Sequence, residues 1–311
     1  MTVRVALCTA LALTLSGPSA LAQPVSPGST CTGQAGVDWD QQIESCTAII
    51  QSPQESTRNR AVAYKNRGNA WDAKGDNDRA MADFSEAIRL DPDYGIAYSN
   101  RGRVWLTKRD FDRAIADFNE AIRINPKHAN AYYNRGVAWA AKEDYERAIA
   151  DFSEAIQLDP KAVDAYVNRG IAWHLEYDYD RAIADFNEAI RLDPKAADAH
   201  FQRGSAWYAT RDYDRAITDL SEAIRLNPEH ADAYYNRGVV WRDKGDYERA
   251  IADFGEVIRL DPSEAGAYYE RGLAWQAQGD KDRAIADLSA AEQLGHPDAR
   301  DVLEKLRGKR P

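Results

Sequence analysis

The stretch that decides the fold is GIAYSNRGRVWLTKRDFDRAIADFNEAIRINPKH, residues 95–128, followed at once by ANAYYNRGVAWAAKEDYERAIADFSEAIQLDPKA, residues 129–162. The two blocks align without a gap. Working outward in both directions, the same block recurs every 34 residues. The Arg-Gly pair stands at Arg67-Gly68, Arg101-Gly102, Arg135-Gly136, Arg169-Gly170, Arg203-Gly204, Arg237-Gly238 and Arg271-Gly272. A tryptophan follows each, from Trp71 through Trp105, Trp139, Trp173, Trp207 and Trp241 to Trp275. An uninterrupted period of this length means stacked repeats, each contacting its neighbours, and not one large core. Seven repeats then run 61–94, 95–128, 129–162, 163–196, 197–230, 231–264 and 265–298.

Each repeat reads as two helices, A and B. In the first, A spans about 61–74 and B about 77–89. Gly75 ends helix A, since glycine tolerates positive φ. Asp76 is placed to cap helix B, and Asp110, Asp144, Asp178, Asp212, Asp246 and Asp280 repeat the arrangement. Asp91-Pro92 and its equivalents stop helix B, because proline cannot donate to the helix ladder. Asp83 and its six equivalents lie 16 residues after each arginine, and this spacing predicts an Arg67–Asp83 type ion pair across the hairpin.

This pattern resembles the tetratricopeptide repeat family over roughly 38–306. The residues that carry the resemblance in the first repeat are Tyr64, Gly68, Trp71, Ala80, Phe84, Ala87 and Pro92. It implies an all-α fold, a right-handed superhelical solenoid of antiparallel helix pairs. The family usually has an aliphatic residue before the glycine, where this chain has arginine seven times.

Outside the repeats, residues 1–22 read as a signal peptide: Arg4, an apolar Val5–Leu15 run too short to span a bilayer, and Ala20-Leu21-Ala22 as cleavage site. Residues 23–37 read as a linker and 38–60 as an amino-terminal capping helix and loop. Residues 299–311 read as a carboxyl-terminal capping helix and tail, with Val302, Leu303 and Leu306 inward. Export to an oxidising compartment, periplasmic or extracellular, makes Cys31 and Cys46 a disulfide pair.

A net charge of -10 disfavours nucleic acid and anionic membrane surfaces as partners. The five histidines make no zinc-ligand spacing, and the carboxylates recur with the repeat, as caps and surface charges do. The expectation is a non-enzyme with no cofactor and no metal. Function should lie where repeats differ. One face of helix A varies freely, and the resemblance makes that face the wall of a concave groove.

The candidate peptide-binding residues on it are Lys65, Asn66, Asn69, Asn100, Arg103, Tyr133, Asn134, Val137, Asn168, Ile171, Phe201, Tyr235, Asn236 and Tyr269. The asparagines among them are similar to the ladder with which the O-GlcNAc transferase superhelix holds extended peptides. An amide offers both donor and acceptor to a peptide backbone. Two occupants of this face stay open: a partner segment, or the neighbouring A helix itself. The expected function is an exported scaffold for a protein or extended peptide. The alternative is an envelope assembly or maintenance factor that takes a lipid, a glycan or another small apolar ligand. A carboxylate clamp of the co-chaperone kind is disfavoured, since Asn130 and Asn134 stand where it needs cations.

Overall fold

The computed structural model describes residues 30–32 and 38–308. The expected signal peptide and most of the linker lie outside the described residues. Sixteen helices and no strand occur among those described. They are α1 Trp39–Gln51, α2 Thr57–Ala73, α3 Asn77–Leu90, α4 Gly95–Thr107, α5 Phe111–Ile124, α6 Ala129–Ala141, α7 Tyr145–Leu158 and α8 Val163–Leu175. The rest are α9 Tyr179–Leu192, α10 Ala197–Ala209, α11 Tyr213–Leu226, α12 Ala231–Asp243, α13 Tyr247–Leu260, α14 Ala265–Gln278, α15 Lys281–Gln293 and α16 Ala299–Leu306. They fall into two compact units, divided between Ala165 and Tyr166 inside α8.

In the first unit α1 packs on α2, and α2–α3, α4–α5 and α6–α7 form hairpins that pack successively, B helix against the next A helix. The second unit repeats this with α10–α11, α12–α13 and α14–α15, and α16 packs on α15. Leu303 is buried there, and Val302 and Leu306 are half-buried. Cys31 and Cys46 form a disulfide at the start of the first unit, both sulfurs buried beside Ala63. Gln42 Nε2 donates to the backbone oxygens of Cys31 and Asn66 at 3.4 and 3.3 Å, which ties α1 to the middle of α2.

Local sequence explains the helix ends. All seven capping aspartates accept the backbone N–H three residues on, from Asp76 with Arg79 to Asp280 with Arg283. α2 starts four residues before the expected 61, because the Ser56 hydroxyl accepts the Asn59 N–H at 3.1 Å and caps a longer helix. Helix A ends on a left-handed residue, which is glycine at Gly75, Gly245 and Gly279. The other four repeats put Arg109, Glu143, Tyr177 and Arg211 there, at φ 60, 60, 63 and 64. A side chain in that region costs roughly 1 kcal/mol.

Each hairpin closes tightly where the sequence places glycine. A Cβ on Gly136 would stand 2.8 Å from the Phe152 ring, and one on Gly68 would stand 2.7 Å from Phe84. The seven arginines beside these glycines make the expected pairs. Nε and Nη2 donate to the two carboxylate oxygens of one aspartate at 2.6–2.9 Å in every repeat. The third nitrogen has a further use. Arg67 Nη1 donates to Thr47 Oγ1, Arg101 to Ser85 Oγ, Arg135 to Asn119 Oδ1, Arg203 to Asn187 Oδ1 and Arg237 to Ser221 Oγ. Arginine thus bonds its own hairpin with two nitrogens and the preceding helix B with the third. A lysine point charge could not match this fork geometry.

Arg271 breaks the series, because the equivalent acceptor position is Gly255, whose added Cβ would meet only Arg271 Nη1, at 3.7 Å. Gly255→Ser therefore fills open space, removes a mid-helix glycine and supplies the missing acceptor. The expected outcome is a gain of about 1 kcal/mol in urea unfolding. An unchanged or lower midpoint would show that the third bond contributes nothing.

Candidate functional site

The variable face of the A helices is built by residues at i, i+4 and i+7, which one helical face presents together. Successive A helices touch directly, α2 with α4, α4 with α6, α10 with α12 and α12 with α14. That closeness decides which side chains reach the surface. Four predicted site residues do not: Asn66, Ile171, Phe201 and Asn236 are 5, 2, 1 and 1% exposed. Little of these four side chains is open to a partner. They are packed between helices, Asn66 with Nδ2 4.0 Å from the Cys31 sulfur and Asn236 donating to Ser205 Oγ at 3.1 Å. Phe201 lies against the His230 ring, centroids 4.6 Å apart.

The other ten are half-buried. In the first unit Lys65 Nζ donates to Asn66 Oδ1 at 2.6 Å, and burial lowers its pKa. Asn100 Nδ2 donates to Asn69 Oδ1 at 2.7 Å, one repeat to the next. Arg103 pairs with Asp72 across the same step. Tyr133 tilts against Phe152 at 5.8 Å, and Val137 packs on the core of Leu106 and Phe118. Asn134 lies beside them in α6. In the second unit Tyr235 meets Phe254 edge-on at 5.7 Å, Tyr269 stacks on His296 at 4.0 Å, and Asn168 is half-buried in α8. Much of the polar character of this face is therefore spent on repeat-to-repeat bonds.

An open cleft adjoins it. A cleft of about 200 Å³ in the first unit is lined by Tyr133, Asn130, Ala129, Ala155, Ala162, Val163 and Ala165, with Asp159 and Asp164 at its edge. Small side chains on α6 and α8 leave this space, and Tyr133 supplies its ring.

Two arrangements escaped the sequence reading. Each tryptophan is covered by the arginine eight residues later, whose guanidinium carbon stands 3.7–4.7 Å from the ring centroid in all seven repeats. The recurring spacing from Trp71 to Arg79 was the available signal. Arg242 and Glu270 form a buried ion pair, side chains 10 and 8% exposed. Burial pushes the Glu270 carboxyl up despite the arginine beside it. Glu270 interrupting the asparagine series was the only hint, since the pair occurs in one repeat step. Among the described residues no group of three His, Cys, Asp or Glu side chains is placed to hold a metal, and no helix is long and apolar enough to cross a membrane.

Hairpins of this period, with a glycine under an aromatic ring and a capped second helix, define an all-helical repeat protein. The chain belongs to the tetratricopeptide repeat family: the family's model matches at 65–129, 99–163, 140–176, 177–220 and 208–256, and a second model, TPR repeat, matches at 240–279. None of the proteins of curated function matches it significantly. Among solved structures it is similar to a tetratricopeptide repeat protein from Parabacteroides merdae ATCC 43184, at 21% identity and TM-score 0.60, over 80% of this chain and 98% of that one. It is also similar to YrrB, described as a TPR protein with an unusual peptide-binding site, at 25% identity and TM-score 0.52, over 63% of this chain and 97% of that one. MamA is a third, at 28% identity and TM-score 0.50, over 55% and 94%.

Proposed function

We propose that the protein is an exported, non-catalytic scaffold that holds an extended segment of another protein on the A-helix face of its first unit. The observation that carries this reading is the Tyr133 cleft, an opening on a face where Lys65, Asn69, Asn100 and Arg103 bond neighbouring side chains. Aromatic side chains beside small ones suit a peptide side chain, because the ring offers a large apolar area at little conformational cost. Half-buried Asn134 lies one residue from Tyr133 and carries an amide, a group that can pair with a peptide backbone. YrrB, of the same fold, is a peptide binder by its description, which supports the same use here. The buried Cys31–Cys46 disulfide supports an oxidising compartment.

The test places a photoreactive amino acid at Tyr133 and, separately, at the exposed Glu154 on helix B, in the native host. Adducts with one protein at position 133 and none at 154 are expected. Asn130→Trp should fill the cleft from its exposed rim and cut that crosslinking at least tenfold without lowering the melting temperature. Equal adducts at both positions, or indifference to the tryptophan, would sink the reading.

A further inference from the structure

The junction between helices A and B of the fourth repeat differs from its counterparts in a way that points to a partner. In the first repeat the corresponding notch is lined by Lys74, Gly75, Asp76, Asn77, Asp78 and Lys108. Lys108 Nζ sits on Asp78 Oδ1 at 2.6 Å. The same lysine-to-aspartate step recurs as Lys142 on Asp112 and as Lys244 on Asp214, so this position has a built-in habit of holding an ammonium group.

In the fourth repeat the lining is Glu176, Tyr177, Asp178, Tyr179, Asp180 and Thr210, around a notch of about 410 Å³. Both lysines are gone. Glu176 replaces the first and Thr210 the second, while the aspartate that the second would neutralise is kept as Asp180. The glycine has become Tyr177, beside Tyr179, whose position also holds an aromatic ring in the second, third, fifth and sixth repeats. Asp178 is occupied, capping α9 and accepting from Arg181 at 2.7 Å, as its equivalents do. Glu176 and Asp180 are exposed carboxylates, and Asp180 lacks the lysine that Lys108, Lys142 and Lys244 provide to its equivalents Asp78, Asp112 and Asp214.

Tyr177 is 79% exposed, more than any other large hydrophobic side chain among the described residues. Its ring meets Tyr179 edge-on, centroids 6.4 Å apart. Its backbone is left-handed, φ 63, at a position where three other repeats use glycine. Arg109, Glu143 and Arg211 adopt the same conformation in other repeats, and Tyr177 is the one aromatic side chain among the four. The aromatic face and two carboxylates together are what a cationic side chain prefers. A bare metal ion is a poorer fit, since no three ligating groups converge here.

We propose that this notch is the docking site for a lysine or arginine side chain of a basic partner segment, which supplies in trans the cation that Lys108, Lys142 and Lys244 supply from within the chain. Tyr177 packs on the aliphatic and cationic end of the incoming residue, and Asp180 and Glu176 pair with its charge. The site lies at the helix A–helix B junction and does not depend on the Tyr133 cleft, so either can fail alone.

The probe is the peptide acetyl-Gly-Gly-Lys-Gly-Gly-amide, titrated into the full ¹⁵N-labelled protein at low ionic strength, where exposed charges are least screened. Saturable shifts of the Glu176–Asp180 amides are expected, and none with the peptide carrying glutamate in place of lysine. Thr210→Lys should restore the internal pair and weaken binding at least tenfold. Thr218→Lys adds the same charge on exposed α11 and should weaken it less than twofold. Tyr177→Gly should also weaken binding at least tenfold while the melting temperature holds or rises, since it relieves the left-handed strain. Equal effects of the two lysine variants would reduce the interaction to net charge and overturn the site. So would shifts confined to other residues, or full binding by Tyr177→Gly.

Discussion

Asp151→Ala should destabilise the protein by about 3 kcal/mol, measured by urea unfolding, with the loss concentrated in lowered hydrogen-exchange protection of amides in α6 and α7. The Asp151 carboxylate is 8% exposed and the Arg135 side chain 20% exposed, so the pair is largely removed from water. Removing one member of such a pair costs roughly 3–5 kcal/mol, because the other charge loses its partner but not its burial. The lower end applies, since part of the Arg135 guanidinium can still reach solvent and its Nη1 keeps Asn119. Replacing both members, Arg135→Met with Asp151→Leu, should recover most of the loss, because no orphaned charge remains. The third bond to Asn119 is sacrificed in that variant, so full recovery is not expected. In a stacked array each repeat is stabilised mainly by its neighbours, which is why local hydrogen exchange should report the defect before global unfolding does. A cost under 1 kcal/mol would place the pair among ordinary surface ion pairs.

The same pair marks what a sequence of this kind makes legible. An interaction required in every repeat is written seven times at fixed spacing, so Arg67 to Asp83, Gly68 to Phe84 and Asp76 to the following helix can be read from the period alone. The tryptophan–arginine stacks are equally periodic, and Arg79 bonds the Asp76 cap as well as covering Trp71. The A-helix face was harder for a physical reason. Whether a side chain there meets solvent or the next A helix depends on the rotation between successive hairpins, which no single repeat encodes. Lys65 and Asn66 are adjacent, and one is half-buried while the other is 5% exposed. Phe201 is buried while Tyr235, at the equivalent position one repeat on, stays half-buried. Interactions that occur once, such as Arg242 with Glu270, leave no period to find. Four repeats also end helix A without glycine, which the glycine at 75 did not foretell.

His174 gives the fold a pH dependence in the mildly acidic range. It occupies the variable stripe of α8, is 7% exposed, and its ring meets Tyr179 edge-on at 5.1 Å. Burial lowers its pKa from 6.5 to about 4. In the unfolded chain the imidazole gains its proton near pH 6.5, whereas in the folded chain it stays neutral down to about pH 4. Between these values the unfolded state binds more protons, so stability falls as pH falls through that window and is fully present above it. The whole shift corresponds to about 3 kcal/mol. Asp253 and Glu270 act in the opposite sense, since burial raises their carboxyl pKa values and the folded state then holds protons better in acid. The wild-type curve alone therefore mixes the two. His174→Phe keeps an aromatic ring against Tyr179 and removes only the titration. The difference in unfolding free energy between wild type and variant should be flat above pH 7 and shift by about 3 kcal/mol against the wild type by pH 4. A pH-independent difference would mean that the folded protein accepts the proton without penalty, and an imidazole NMR titration near pH 6.5 would then be seen in the native state.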